Sequence, residues 1–222
     1  MSANEIQKFL SSIDPFKNLA SQELSSLVSV SKIKTFKKGD TIYNEGEPAQ
    51  GVWVLYKGRL QVFKFTSDGK SFALESLAPG EIFGTLCRLG SNNRSYPCTA
   101  VCAEESHVIL IPERIFLDCY SRNGGFVRGL CSLCSERLKD VQGLRCLGQE
   151  AVPKRIASIL TRLCQVYGQT IPFTKKELSE LVGATLETTF RALKNLEDQK
   201  ILSSSRGKIL IQDPKSLAAL SR

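Results

Sequence analysis

The segment TKKELSELVGATLETTFRALKNLE, residues 174–197, constrains the fold more than any other part of the chain. Thr174 with Glu177 three residues on is a capping box, which starts a helix. Leu178, Leu181 and Val182 give that helix a buried side. Gly183 supplies a tight turn, and Thr185 caps a second helix. Thr189, Leu193 and Leu196 then recur at i, i+4 and i+7, the buried stripe of an amphipathic helix. Glu187, Phe190, Arg191 and Lys194 take the opposite face at the same spacing. A solvated face would be polar throughout, whereas this one sets a phenylalanine beside a carboxylate and two cations. Two short helices joined by a glycine-containing turn are a helix-turn-helix signature.

The flanks extend that unit. PKRIASILTRLCQVYG (153–168) reads as an amphipathic helix with a first-turn proline and a glycine stop. KILSSSRGKILIQDP gives two short strands, 200–203 and 208–212, around Arg206-Gly207, a hairpin that forms a wing. The whole is a winged helix. Its recognition helix enters the major groove with its N-terminal residues. Arg191 can donate twice to guanine, Glu187 can accept from cytosine and hold the Arg191 fork, and Phe190 can pack on a thymine methyl. Lys175, Lys194, Arg206 and Lys208 are the candidate phosphate contacts. The bland alternative for Glu187 and Arg191 is a surface ion pair worth a few tenths of a kcal/mol. Charge agrees with DNA: the chain carries +8, of which residues 1–150 hold +2 and residues 151–222 hold +6.

The N-terminal part differs. Residues 1–30 read as helical, in NEIQKFLSSI and in SQELSSLVSV with a serine N-cap. From about 32 to 112, short β-rich runs alternate with glycines: DTIYNE, GVWVLYKG, RLQVFKFT, KSFALESL, CTAVCA and SHVILIP. Asp68-Gly69 marks a hairpin between two of them. Many short, evenly spaced strands predict an antiparallel sandwich or barrel. Helical patterning resumes at Pro112. In residues 126–148, Val127, Leu130, Cys134, Val141 and Leu144 fit an a/d seam broken at Arg137. That helix either packs on its own domain or pairs with a second copy; a dimer seam is the expectation. Gly148 ends it, and a hinge is expected at 149–152. The fold class is α+β.

Composition excludes several functions. Apolar residues make up 42% and charged residues 23%, as in soluble globular proteins. No apolar run reaches the roughly 20 residues that span a membrane, and the N-terminus lacks a signal-peptide pattern, so a cytoplasmic protein with no membrane partner is expected. No nucleophile–base arrangement and no Walker or dinucleotide motif is present, and His107 is the single histidine; an enzyme is not expected. The eight cysteines read mainly as small buried apolar residues.

The order of β-roll, long helix and winged helix resembles the CRP/FNR family of bacterial transcription regulators. The resemblance covers nearly all of the chain and rests on KGDTIYNEGEPAQGVWVLYKGRLQVFK, PGEIFGTLCRLG and LSELVGATLETTFRALKNLEDQKIL together. It implies a cupin-like jelly roll of the cyclic-nucleotide-binding type at 1–125, a dimerisation helix at 126–148 and a DNA-binding domain at 153–222. It also implies a homodimer that reads a palindrome with half-sites about 34 Å apart, and RNA polymerase as a partner. Glu187 and Arg191 fall on the family's base-reading pair. Leu186, where the cyclic-AMP receptor branch has an arginine, places the helix closer to the FNR-like branch and a TTGAY-type half-site, with Phe190 in place of a small residue.

The family's cyclic-nucleotide cassette is degenerate here. Thr85 stands where the ribose-binding glutamate would be, and the family arginine falls near Tyr96 rather than on Arg94. Cyclic AMP is therefore not the expected signal. Thr85, Arg94, Tyr96 and Val141 are the candidate effector pocket. An FNR-type iron–sulfur cluster needs four thiolates, most of them near the N-terminus in that branch, and no cysteine precedes Cys87. Cys131 and Cys134 read as core cysteines or as a redox pair, with no further Cys/His pair for a metal. His107 is a surface imidazole or a haem ligand. Haem and a small organic effector are the candidate ligands. The rival reading of the chain is a ligand- or redox-responsive module acting on a partner protein.

Overall fold

The structure, a computed structural model, describes residues 2–65, 71–84 and 95–221, with backbone only at 71–72 and 144–146. Contacts divide it into two compact units, Met1–Lys139 and Asp140–Arg222.

The first unit opens with α1 (Ala3–Leu10) and α2 (Ser21–Val30). Ala20, not Ser21, is the N-cap of α2, because the Glu23 carboxylate accepts from the Ala20 amide at 2.9 Å. Eight strands follow among the described residues: β1 (Lys32–Phe36), β2 (Thr41–Tyr43), β3 (Gly51–Lys57), β4 (Leu60–Phe65), β5 (Ser71–Leu77), β6 (Ile82–Phe83), β7 (Thr99–Cys102) and β8 (Ser106–Pro112). They form two antiparallel four-stranded sheets, ordered β1-β8-β3-β6 and β2-β7-β4-β5. β4 and β5 pair as the Asp68-Gly69 signal predicts, with Phe65 opposite Ser71; the turn itself lies outside the described residues.

Alternation in the central strands explains the layering. Trp53 and Leu55 of β3, with Val108 and Leu110 of β8, point into the core between the sheets. Val52, Val54, Ile109 and Ile111 point the other way, into a core shared with Ile6, Leu10, Leu24, Leu27 and Phe116 of the helices. Successive strand residues face opposite sides, so strands covered on both faces read as unbroken apolar runs. GVWVLYKG and SHVILIP are such runs. α3 (Glu113–Arg122) follows, and α4 (Gly124–Leu147) begins in this unit and continues past its boundary at Lys139.

On α4 the structure corrects the expected seam. Phe126 and Leu130 are fully buried in the unit's helix-side core, and Leu133 packs against it. Arg137, on the same face, donates to the Ile82 carbonyl at 2.6 Å. Leu130 therefore faces its own domain. The outward apolar positions are Val127, Cys131, Cys134, Leu138 and Val141; the side chain of Leu144 lies outside the described residues.

The second unit contains α5 (Val152–Tyr167), β9 (Thr170–Ile171), α6 (Lys175–Val182), α7 (Leu186–Asp198), β10 (Leu202–Ser205), β11 (Lys208–Ile211) and α8 (Pro214–Leu220). The wing hairpin is present, with its first strand two residues later than the sequence suggests. β9 adds a third strand on the far side of β11. One core holds the unit together: Ile156, Leu160, Phe173, Leu178, Leu193, Leu196, Ile209 and Leu217 are all nearly or fully buried.

Candidate nucleic-acid interface

The helix-turn-helix is fixed by its caps. Thr174 Oγ1 accepts from the Glu177 amide at 3.1 Å, and Glu177 accepts from the Thr174 amide at 2.6 Å. Gly183 ends α6 at φ 65°, ψ 44°, a left-handed conformation that costs a side-chain-bearing residue about 1–2 kcal/mol. Thr185 Oγ1 accepts from the Thr188 amide at 3.2 Å and starts α7. Arg155 of α5 adds a contact that no local spacing announces. Its guanidinium donates to the Val182 carbonyl at 3.0 Å and to the Gly183 carbonyl at 3.4 Å. A cation on the open carbonyls at a helix C-terminus is favoured by hydrogen bonding and by the helix dipole.

α7 then shows the two faces that its spacing predicts. Thr189, Ala192, Leu193 and Leu196 are buried. Glu187, Phe190, Arg191 and Lys194 are exposed. Arg191 Nη2 lies 3.0 Å from Glu187 Oε1, both side chains about four-fifths exposed. In water such a pair contributes only a few tenths of a kcal/mol; its effect is to hold the arginine fork in one direction. Phe190 is 46% exposed, and Lys175 Nζ sits 4.5 Å above its ring. That cation–π contact, worth about 0.5–1 kcal/mol at an exposed site, ties the first turn of α6 to the outward face of α7. These side chains, with Lys194, Glu197 and Asp198, line a shallow concavity of about 420 Å³.

The wing is tied to α7 by a residue that the sequence alone does not single out. Glu197 accepts from the Ser204 amide at 2.8 Å and from the Ser204 hydroxyl. Seven residues across a turn carry no periodic signature, so only the fold pairs them. Arg206 and Lys208 stand exposed at the wing's tip. Lys175, Lys194, Glu187, Phe190 and Arg191 thus lie together on one surface of this unit, with the wing held to the end of α7.

Of the candidate effector residues, Tyr96 and Val141 lie within the described residues. Tyr96 is 2% exposed. Its hydroxyl accepts from Trp53 Nε1 at 2.9 Å and from the Gln50 amide at 3.0 Å. Its ring stacks on Tyr43 at 3.8 Å, and Trp53 and Phe83 continue the aromatic layer. Tyr96 is a core side chain whose polar end is satisfied. Thr85 and Arg94 lie outside the described residues, and with them the stretch that would meet a cyclic phosphate. Val141 is 62% exposed on α4. His107 is partly exposed, with Nδ1 3.2 Å from Thr35 Oγ1. Among the described residues no cluster of three or more His, Cys, Asp or Glu is placed to hold a metal, and no helix is long and apolar enough to cross a membrane.

Comparison with known proteins covers both units. The family model described as "Cyclic nucleotide-binding domain" matches residues 33–123, and the "Crp-like helix-turn-helix domain" matches residues 154–220. The "Cyclic AMP receptor protein" of Thermus thermophilus is 24% identical over 208 residues, 93% of this chain and 95% of that protein. The "Transcriptional activator protein FnrA" of Stutzerimonas stutzeri is 23% identical over 214 residues, 92% of this chain and 86% of that protein. Among solved structures, FixK2 from Bradyrhizobium japonicum superposes with a TM-score of 0.78 at 23% identity, covering 87% of this chain and 98% of that one.

Proposed function

Because the chain belongs to the CRP/FNR family of transcription regulators, we propose that it acts as a homodimer on a palindromic operator, with α7 of each copy in a major groove. The observation that carries this reading is the outward face of α7: a pre-oriented Glu187–Arg191 pair beside an exposed Phe190. Arg191 reads guanine, Glu187 reads cytosine and Phe190 packs on a thymine methyl. Lys175, Lys194, Arg206 and Lys208 contact phosphates and set the register. Residues 1–125 sense the signal, 126–148 pair the copies, and 149–152 is the hinge to a DNA-binding domain at 153–222. The dimer works in the cytoplasm and engages RNA polymerase.

The signal is not cyclic AMP in this reading. Thr85 stands where the ribose-binding carboxylate would be, and Tyr96, near which the family's arginine would fall, stacks on Tyr43 in the core between the sheets. A signal acts only by binding one arrangement of the dimer more tightly than the other.

Selection from a random-site pool by gel shift tests the reading; failure to enrich any palindrome would sink it. On the selected operator, Arg191→Ala is expected to weaken binding by about 1–3 kcal/mol and to relax preference at one base pair per half-site. Unchanged affinity with unchanged preference would remove Arg191 from the groove. Lys175→Ala is expected to weaken all sequences alike and to lower the slope of log K against log salt by about 0.9 for each phosphate left without its lysine. A salt slope equal to that of the wild type would place Lys175 away from phosphate.

A further inference from the structure

The wing is supported differently at its base and at its tip. At the base, Leu202 and Ile211 pair and both are buried. Two pairs further out Ser204 stands opposite Ile209, and beyond it only the closing pair Ser205–Lys208 and the Arg206-Gly207 turn remain. Those last four residues are exposed. The two strands are also held unequally. β11 lies in the middle of its sheet, pairs with β9 at Ile209, and buries the Ile209 side chain fully. β10 is an edge strand. Alternate amides of an edge strand point away from the ladder and need another acceptor. At Ser204 that acceptor is Glu197, whose Oε1 takes the amide at 2.8 Å and the hydroxyl as well.

Resting on the operator reading above, we propose that Glu197 is a positioning residue for DNA binding: through Ser204 it aims the wing's Arg206 and Lys208 at phosphate. Its own contact is with the wing and not with DNA. Glu197 stands ten residues along α7 from Glu187, about 15 Å of helix, away from the end that enters the groove. A hairpin held along one strand only can still rotate about that strand. Ile209 from the core and Glu197 from α7 hold the two strands at one level, which fixes the direction of the tip. Two long cations already presented in one direction lose less freedom when they meet phosphate.

The tie needs an acceptor at the right reach, not a charge. One carboxylate oxygen takes both donors of Ser204, and an amide oxygen with its two lone pairs can do the same. Two conservative variants therefore separate aim from charge. Glu197→Gln keeps the reach and loses the charge. Glu197→Asp keeps the charge and draws the oxygens back by one carbon–carbon bond, about 1.5 Å, beyond hydrogen-bond distance from Ser204. A carboxylate that acted only by repelling phosphate would show the reverse order: Glu197→Gln would change binding and Glu197→Asp would not.

Titration of the full chain on the selected operator over a range of salt tests this, with the double variant Arg206→Ala/Lys208→Ala as reference. The reference is expected to lower the slope of log K against log salt by about 1.8 per half-site for its two phosphates. Glu197→Asp is expected to bind about fivefold or more weakly, with its slope at least halfway to that of the reference and its preferred bases unchanged. Glu197→Gln should stay within about twofold of wild type in affinity, with the wild-type slope. Added to the reference, Glu197→Asp should cause no further loss, because no wing cation is left to aim. Wild-type binding by Glu197→Asp, equal changes in the Asp and Gln variants, or an undiminished loss in the reference background each overturn this proposal alone. So does a Glu197→Asp protein whose C-terminal unit no longer folds, since Glu197 would then hold the fold and not the aim. A reference with the wild-type slope removes Arg206 and Lys208 from phosphate and overturns that part of the operator reading together with this proposal.

Discussion

Leu193→Ala is expected to destabilise the C-terminal unit by about 2–5 kcal/mol and to abolish operator binding while every DNA-facing side chain stays in place. Leu193 is fully buried, in one core with Ile156, Leu160, Phe173 and Leu178. It docks α7 to α5 and α6, so its truncation leaves a cavity where the reading helix is seated. The first unit has its own cores, built from other residues. Calorimetry should therefore show one transition falling, by tens of degrees if the whole penalty lands on this small unit, with the other little changed. Leu193→Met keeps the volume and should cost less than about 1.5 kcal/mol, with operator binding retained. A Leu193→Ala protein with wild-type melting and wild-type gel shift would show that α7 does not depend on this contact.

Gly58→Ala is expected to be at least as severe in the first unit, about 4 kcal/mol or more, the range reserved for a few mechanisms such as backbone overpacking. Gly58 lies where the chain leaves β3 in one sheet and enters β4 in the other. Its φ is +98°, and an added Cβ would fall 2.6 Å from the Glu105 carbonyl oxygen and 2.7 Å from Ser106 Cα. Neither atom can swing away as a flexible side chain would. Gly39 isolates the steric part. Its φ is +88°, but a Cβ there would meet nothing within 4 Å, so Gly39→Ala should cost only the left-handed penalty of about 1–2 kcal/mol. Equal melting of the two variants would refute the clash.

The contrast between what the sequence announces and what it conceals follows from the range of the interactions. The capping box of α6, the left-handed Gly183, the Thr185 cap and the two faces of α7 are set by residues within a turn of one another, and each is legible. β6 and β9 are two residues long, and in β1 the sequence Lys-Ile-Lys-Thr-Phe carries charge on alternate positions; such strands exist only because a neighbour offers them a ladder. Ser21 looks like a cap, yet Glu23 supplies the capping carboxylate to the residue before it. On α4 two apolar stripes run side by side, and leucine outweighs cysteine in any pattern. Contact with α1, α2, β3 and β8 decides that Leu130 turns inward and leaves Cys131 outside. Glu197–Ser204 and Arg155–Val182 join separate elements, so no spacing could reveal them.

One consequence of the divided α7 concerns how such a protein changes over generations. The residues that seat the helix and the residues that face outward share no side chain. Substitutions at Glu187, Phe190 or Arg191 forfeit only a solvent-screened ion pair or a cation–π contact, together about 1 kcal/mol. Target preference can therefore drift while folding is held constant, and duplicated copies of this chain are free to part company in the operators they read long before they part company in structure.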